Sequence, residues 1–167
     1  MGVSYRSVVV AGVRFRDLKP VTRKEDVTVV RYDTITGKPY DVVIEKWYTK
    51  IGNIEIEGNL RDVLKRFCED FESEEEMKNE FGDSPPSYWS GSYVSDIRYD
   101  NDLLDQIVIG YCASKGHASS WDVNQMIHEF EHDDVLMAMT SIENWLVEIG
   151  ANERIVPSLF VVQYASY

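Results

Sequence analysis

The stretch Leu104-Asp-Gln-Ile-Val-Ile-Gly-Tyr-Cys-Ala-Ser114 decides the fold that the sequence predicts, because its near-continuous apolar run suits a central strand. A helical stretch follows from Asp122 to Gly150. The segment Leu159-Phe-Val-Val-Gln-Tyr-Ala-Ser166 then has the composition of a final strand. Strand, helix and strand in this order favour a β-α-β unit, in which neighbouring parallel strands are joined by a right-handed crossover.

The helical stretch predicts two helices, over residues 122–131 and 134–149. The Asp133-Asp134 pair between them favours a helix N-terminus over a helix interior, and Gly150 supplies a C-terminal stop signal. The second helix has an apolar stripe that we expect to face the core, comprising Val135, Met139, Ile142, Leu146 and Ile149.

The first 57 residues predict an antiparallel meander. β-Branched and aromatic residues favour strands at 5–15, 26–32, 40–50 and 54–57. Gly12, inside the first of these, suggests a bulge or a close backbone approach. Gly37, in the loop after the second, can supply a positive φ.

An amphipathic helix is predicted over residues 60–72, with Asn59 as its N-cap. These elements together predict one α+β domain over residues 1–167. It comprises an N-terminal antiparallel β-meander plus a helix, followed by the β-α-β unit, in a single mixed sheet with helices packed on it. Cys68 and Cys112 lack C-x-x-C spacing, which predicts reduced thiols in a cytoplasmic protein.

Charge is distributed unevenly along the chain, whose formal net charge is −12. Residues 1–66 hold 13 Lys plus Arg and 9 Asp plus Glu (+4), whereas residues 67–167 hold 4 and 20 (−16), which sum to −12. The acidic second half argues against direct nucleic-acid binding and favours basic partners. Its densest part is an acidic arm over residues 69–83, with Glu69, Asp70, Glu72, Glu74, Glu75, Glu76, Glu80 and Asp83. An ordinary solvated surface is the alternative interpretation.

An aromatic loop over residues 84–93 follows the acidic arm, because the Pro85-Pro86 pair cannot continue a helix. Tyr88, Trp89 and Tyr93 have two interpretations. They can cover the edge of the core, as amphipathic aromatics commonly do. They can also anchor a partner, since Tyr and Trp dominate the binding energy of interfaces.

The helical stretch also contains one catalytic template. His128, Glu129 and His132 fit H-E-x-x-H, in which two imidazoles bind zinc and the Glu activates a bound water. On a helix, however, these histidines point away from the apolar face, and no motif identifies a third ligand among Glu143, Glu148 and His117. We therefore favour a solvated helical face, without catalytic residues, cofactor or metal. The alternative is a zinc site with Glu129 as general base.

Other catalytic templates give no support for an enzyme. The sequence contains no G-x-x-x-x-G-K-[ST], no G-x-G-x-x-G and no G-x-S-x-G pattern. Cys112 lies in an apolar strand, where a cysteine is ordinarily a small core residue and not a nucleophile.

Both ends of the chain resemble small uncharacterised proteins of tailed bacteriophages. The similar segments are Met-Gly-Val-Ser-Tyr-Arg-Ser at residues 1–7, the hairpin around residues 32–40, and Val-Val-Gln-Tyr-Ala-Ser-Tyr at residues 161–167. This resemblance implies a protein of the bacterial cytoplasm during infection, with a role in host takeover or counter-defence. It implies no catalytic residue.

The first functional hypothesis is a non-catalytic acidic binding protein, encoded by a phage, that inhibits or modulates a basic host or defence protein. If that partner handles nucleic acid, the acidic arm would occupy its phosphate-binding groove as a nucleic-acid mimic. The alternatives are a small zinc hydrolase and a structural protein of a virion or its assembly. A protein that sequesters a signalling nucleotide is less favoured, because the acidic chain has no phosphate loop.

Overall fold

A computed structural model describes residues 4–67, 85–90, 105–113, 118–120, 130–152 and 155–166. Most of these residues lie in two antiparallel sheets. The elements, in chain order, are β1 (Ser4–Arg14), a 3-10 helix (Phe15–Leu18), β2 (Val21–Tyr32), β3 (Pro39–Ile51), β4 (Ile54–Glu57), α1 (Leu60–Arg66), β5 (Ser87–Trp89), β6 (Val108–Cys112), β7 (Ala118–Ser120), α2 (His132–Glu148) and β8 (Ser158–Ser166).

β1 is the central strand of the first sheet. β8 pairs with one edge of β1, from Ser4 opposite Ser166 to Gly12 opposite Ser158. β6 and β7 share the other edge, and β5 pairs with β6. Because β6 and β8 are both antiparallel to β1, they run in the same direction but lie on opposite sides of it.

The predicted single mixed sheet, with helices packed on it, is therefore wrong. The prediction made strands 104–114 and 159–166 parallel neighbours, whereas β1 separates them and every pairing between described strands is antiparallel. The apolar run of β6 reflects burial on both of its faces, with Ile109 in the main core and Val108 in a cluster on the opposite face. Burial on two faces does not require a parallel sheet.

β2, β3 and β4 form the second sheet, which confirms the predicted meander for these strands but excludes β1 from it. β2 begins at Val21, five residues before the predicted start at Asp26. The sequence prediction missed these residues because the charged segment over residues 23–26 has low strand propensity. The loop over residues 33–38 contains Gly37 with a φ of 66°, as predicted.

Gly12 confirms the expected close approach of two backbones. A Cβ at this position would lie 2.4 Å from the carbonyl oxygen of Ile109 on β6. Gly110 is the register partner of Gly12, and a Cβ there would lie 2.3 Å from the carbonyl oxygen of Ala11. Both positions must therefore lack a side chain for β1 and β6 to pair at this distance.

α2 begins at His132 and confirms the predicted apolar stripe. Its buried side contains Ala138, Ile142, Trp145 and Leu146. The helix ends in a Schellman motif, in which the N–H of Gly150 donates to Val147 O at 3.0 Å and the N–H of Ala151 donates to Leu146 O at 2.8 Å.

The main hydrophobic core lies where the 3-10 helix, β1, β6, both helices and the β3–β4 end of the second sheet meet. Its buried members are Val13, Phe15, Leu18, Ile51, Ile56, Val63, Leu64, Phe67, Ile107, Ile109, Ile142, Trp145, Leu146 and Ile149. Only the β3–β4 end of the second sheet contributes to this cluster, so the remainder of β2 and β3 extends away from it.

α1 starts at the predicted N-cap and has a complete capping box. The Asn59 side chain accepts from the N–H groups of Arg61 and Asp62 at 3.0 and 3.1 Å, and the Asp62 carboxylate accepts from the Asn59 N–H at 3.1 Å. The helix extends to Arg66, and the last residues of the predicted helix, 68–72, lie outside the described residues.

We expect Asn59→Ala to lower the free energy of unfolding by about 1 kcal/mol, because N–H groups at the start of α1 lose their acceptor. Urea denaturation of the variant measures this loss. Lys65→Ala, at an exposed position of the same helix, serves as the control. If the two variants were equally stable, the capping box would contribute nothing.

Candidate binding surfaces

The β2–β3 ribbon, defined as residues 21–32 and 39–47, extends beyond the three-stranded part of its sheet. β4 pairs only with β3 residues 48–51. The ribbon contributes no side chain to the hydrophobic clusters of the described chain. Val30, Tyr32 and Val43 are 57%, 68% and 65% exposed. Because a two-stranded ribbon alone is only marginally stable in water, this element is suited to binding a further strand or a partner.

Cation–carboxylate and cation–π contacts order the base of the ribbon. Arg23 Nη2 lies 2.8 Å from Glu55 Oε1, and this hydrogen bond lowers the pKa of Glu55. Lys24 Nζ lies 2.9 Å from Glu45 Oε1 and 4.3 Å from the ring centroid of Trp47. Each exposed pair contributes little by itself. Together, the contacts of Arg23 and Lys24 connect the side chains of β2 to those of β4 and β3.

The α2 outer face combines apolar and acidic side chains on the solvent side of the helix. At 100° per residue one side of the helix carries Asp133, Leu136, Met137, Thr140, Glu143, Asn144, Val147 and Glu148. Leu136, Met137 and Val147 are 56%, 69% and 59% exposed. α2 contains no Lys or Arg. The sequence prediction missed this surface because it followed only the inward stripe, although residues 136, 140 and 147 share a helical face.

The predicted aromatic loop contains a short strand, β5, which pairs with β6. Tyr88 packs against the main core, whereas Trp89 packs against the cluster on the opposite face of the first sheet. Trp89 Nε1–H donates to the carbonyl oxygen of Gly110 at 3.1 Å. Both side chains are half-buried, so they cover the edge of the core. Tyr93 lies outside the described residues.

The acidic arm lies outside the described residues. This applies to Glu69, Asp70, Glu72, Glu74, Glu75, Glu76, Glu80 and Asp83. Its part in binding stays a prediction from the sequence.

The histidine template is interrupted at its second ligand position. Glu131 is extended, with φ −91° and ψ 150°, and His132 is the first residue of α2. A continuous helix therefore does not connect positions 128 and 132. The His132 side chain is 90% exposed, with Nδ1 3.6 Å from Asp133 Oδ1. His117, His128 and Glu129 lie outside the described residues, and the described residues contain no cluster of three or more metal-binding side chains.

A cleft of about 510 Å³ lies where the 3-10 helix meets the β3–β4 turn and the end of α2. Arg16 and Lys19 contribute its basic groups, and Val156 contributes to its apolar lining. Arg16 Nη1 lies 2.7 Å from Asp105 Oδ2, so its guanidinium is already engaged. The described lining therefore combines basic, acidic and apolar groups, with Asp17 as its carboxylate, and contains no His or Cys.

Tyr111 lies beneath α2 and is not suited to proton transfer at neutral pH. Burial, with a smaller contribution from the charge of Glu148, raises the pKa of Tyr111 to about 12. Its hydroxyl group therefore stays protonated over the physiological range, and the residue packs between two of the hydrophobic clusters.

Comparison with protein-family models, curated proteins and solved structures gave no match for this chain. Within the described residues, no helix combines the length and apolar character needed to cross a membrane.

Proposed function

We propose that this protein is a non-catalytic binding protein that docks a basic bacterial protein on the α2 outer face. The observation that carries the proposal is the exposure of Leu136, Met137 and Val147 on a helix with acidic and no basic residues. Apolar side chains at the centre of an interface supply binding energy, and charges around them supply orientation and partner choice.

The α2 outer face has apolar side chains between acidic ones, as such an interface requires. At 100° per residue, Glu143 and Glu148 lie at the two borders of the α2 outer face. Leu136, Met137 and Val147 lie between these carboxylates, on either side of Thr140. The core below holds the helix in place through Ile142 and Leu146, which are 0% and 1% exposed. A rigid helix that presents an apolar stripe between carboxylates favours a partner groove with an apolar floor and Lys or Arg at its rim.

The charge of the chain as a whole supports a basic partner. Residues 67–167 carry a formal charge of −16 (4 Lys plus Arg, 20 Asp plus Glu), so the potential over this half attracts cationic surfaces. A nucleic-acid-handling enzyme is one partner of this kind. The acidic arm would then extend the contact into its phosphate-binding groove. Phage origin and an inhibitory outcome stay predictions from the sequence.

Capture from a bacterial lysate tests the proposal with two matched double variants. Leu136→Ser with Met137→Ser removes the apolar contacts, and Glu143→Gln with Glu148→Gln removes the flanking charges. We expect each to lower the amount of the same captured protein by about tenfold or more, since loss of a central contact or of complementary charge has effects of this size. Val43→Ser, which removes an equally exposed apolar side chain from the ribbon, is expected to leave capture unchanged.

The captured protein is then identified by mass spectrometry, purified and tested for direct binding. Capture that is equal for the wild type and both double variants would contradict the proposal. If capture were lost in Val43→Ser but kept in both α2 double variants, the binding surface would lie on the ribbon, and this result would also contradict the proposal.

A further inference from the structure

Among the described residues, no strand pairs with the outer edge of β2, and the register with β3 shows which of its backbone groups point outward. Tyr32 is opposite Pro39, which has no N–H, and the adjacent Asp33 N–H donates to Lys38 O at 2.9 Å. Tyr32 and Pro39 therefore form a non-hydrogen-bonded pair. Such pairs alternate along the unbroken register, so the residues whose N–H and C=O groups point away from β3 are Lys24, Asp26, Thr28, Val30 and Tyr32.

An edge of this length that no described strand covers can accept another strand, and its charges limit which strand fits. β2 carries Glu25 near one end of this edge and Arg31 near the other, with Val27 and Val29 between them. All four side chains lie on the same face of the ribbon, because they are separated by even numbers of residues. When a second copy of β2 lies antiparallel to the first, this order is complementary to itself: an acidic residue lies opposite a basic residue, and valine lies opposite valine.

Only some registers exploit this complementarity. An antiparallel pairing of two β2 strands with its two-fold axis at Thr28 places Glu25 opposite Arg31 of the second copy, and Val27 opposite Val29, each twice by symmetry. An axis at Val27 would instead place Arg23 opposite Arg31. An axis at Asp26 would place the two Asp26 carboxylates opposite each other. Like charges directly opposite are destabilising, so the axis at Thr28 is favoured.

We propose that two copies of this chain associate through antiparallel pairing of their β2 edges, with the two-fold axis at Thr28. In this register the outward-directed groups of Thr28 meet their own symmetry copies. Asp26 then pairs with Val30 of the second copy, and Lys24 pairs with Tyr32. Glu25 and Arg31 form non-hydrogen-bonded pairs, in which side chains approach most closely.

In a single chain, Arg31 and Glu25 can still form the ion pairs that the proposed dimer requires. Arg31 has no ion-pair partner among the described residues and is exposed. The Glu25 carboxylate contacts Arg23 on its own strand, and its remaining lone pairs can accept from a second guanidinium. Pairing also joins two half-buried apolar faces into one four-stranded sheet, each face formed by Val27, Val29, Val42 and Ile44.

Sedimentation velocity over a concentration series tests the proposal by charge exchange. Glu25→Arg and Arg31→Glu each create two like-charge pairs, and we expect each to weaken dimerisation by about tenfold. The double variant Glu25→Arg with Arg31→Glu restores opposite charges and is expected to dimerise within about threefold of the wild type. Asp41→Arg makes the same charge change on β3 of the ribbon, away from the β2 edge, and is expected to have little effect.

Thr28→Pro tests the backbone pairing without a change of charge. The Thr28 N–H points away from β3, so proline removes two hydrogen bonds of the proposed dimer, one donated by each copy, but none within the ribbon. We expect this variant to be folded by circular dichroism and monomeric. A wild type that is monomeric at all concentrations up to about 0.5 mM would overturn the proposal, because a specific dimer binds more tightly than this. The proposal would also be overturned if the single charge variants dimerised as strongly as Asp41→Arg, or if the double variant dimerised as weakly as the single variants.

Discussion

Trp145→Ala is expected to lower the free energy of unfolding by about 3 to 5 kcal/mol, the range for removing a large aromatic side chain from a core. Trp145 is 2% exposed and lies on the inner side of α2. Its ring meets Phe67 edge-on, with centroids 6.0 Å apart and an interplanar angle of 76°. Because Phe67 follows α1, the contact connects both helices in the main core. Urea denaturation, followed by circular dichroism, measures the loss.

Met137→Ala is the control for Trp145→Ala. It truncates a long side chain on the same helix, but Met137 is 69% exposed. We expect its effect to stay within about 0.5 kcal/mol, as for most surface substitutions. Equal losses for the two variants would contradict the orientation of α2, on which the α2 outer face depends.

Gly52→Ala is expected to destabilise the protein much more than Gly37→Ala, although both glycines have a similar backbone. Their φ values are 57° and 66°. A Cβ at Gly52 would lie 2.2 Å from the carbonyl oxygen of Ile149, whereas a Cβ at Gly37 would have no neighbour within 4 Å. The same carbonyl accepts the Asn53 N–H at 2.7 Å, which ties the β3–β4 turn to the end of α2.

The two glycine variants separate backbone strain from steric contact. Gly37→Ala carries only the cost of a left-handed conformation, about 1 to 2 kcal/mol. Gly52→Ala carries the same cost and about 1 to 3 kcal/mol more, because the turn must move away from α2. Thermal and urea denaturation of both variants measure the difference. If their losses of stability were equal, the turn would not pack against the helix end in the way described.

Local sequence patterns predicted the individual elements well where each pattern depends on neighbours along the chain. The β2-β3-β4 meander, the Asn59 cap and the inward stripe of α2 follow from alternation, side-chain capping and helical periodicity. Gly150 was predicted as the end of the helix for the same reason. These features are determined by residues close in sequence.

The sheet arrangement could not be predicted from such patterns. β1 pairs with β8 across almost the whole chain, from Ser4 opposite Ser166. An apolar strand shows how many of its faces are buried, but not which distant strand lies beside it. The prediction from the sequence therefore identified β6 and β8 as strands but placed them as parallel neighbours. In the structure, β1 lies between them.

The candidate site was only partly accessible from the sequence. The acidic character of the second half was evident from composition, and it underlies the α2 outer face. The exposure of Leu136 and Met137 depends on which side of α2 packs against the first sheet, and this requires the tertiary structure. Trp89 was a candidate anchor by residue type, and the structure shows that its indole N–H donates to Gly110 O at the sheet edge. Its role as an anchor stays a prediction from the sequence.

The affinity of the purified captured protein for the wild type and for the Leu136→Ser, Met137→Ser variant tests the central claim most directly. Titration calorimetry at about 50 mM and about 500 mM salt gives both the apolar and the electrostatic contributions. We predict that the variant binds about tenfold or more weakly at both salt concentrations, and that wild-type binding weakens as salt rises. If the wild type and the variant bound the captured protein with equal affinity, and salt did not change that affinity, binding through the α2 outer face would be contradicted.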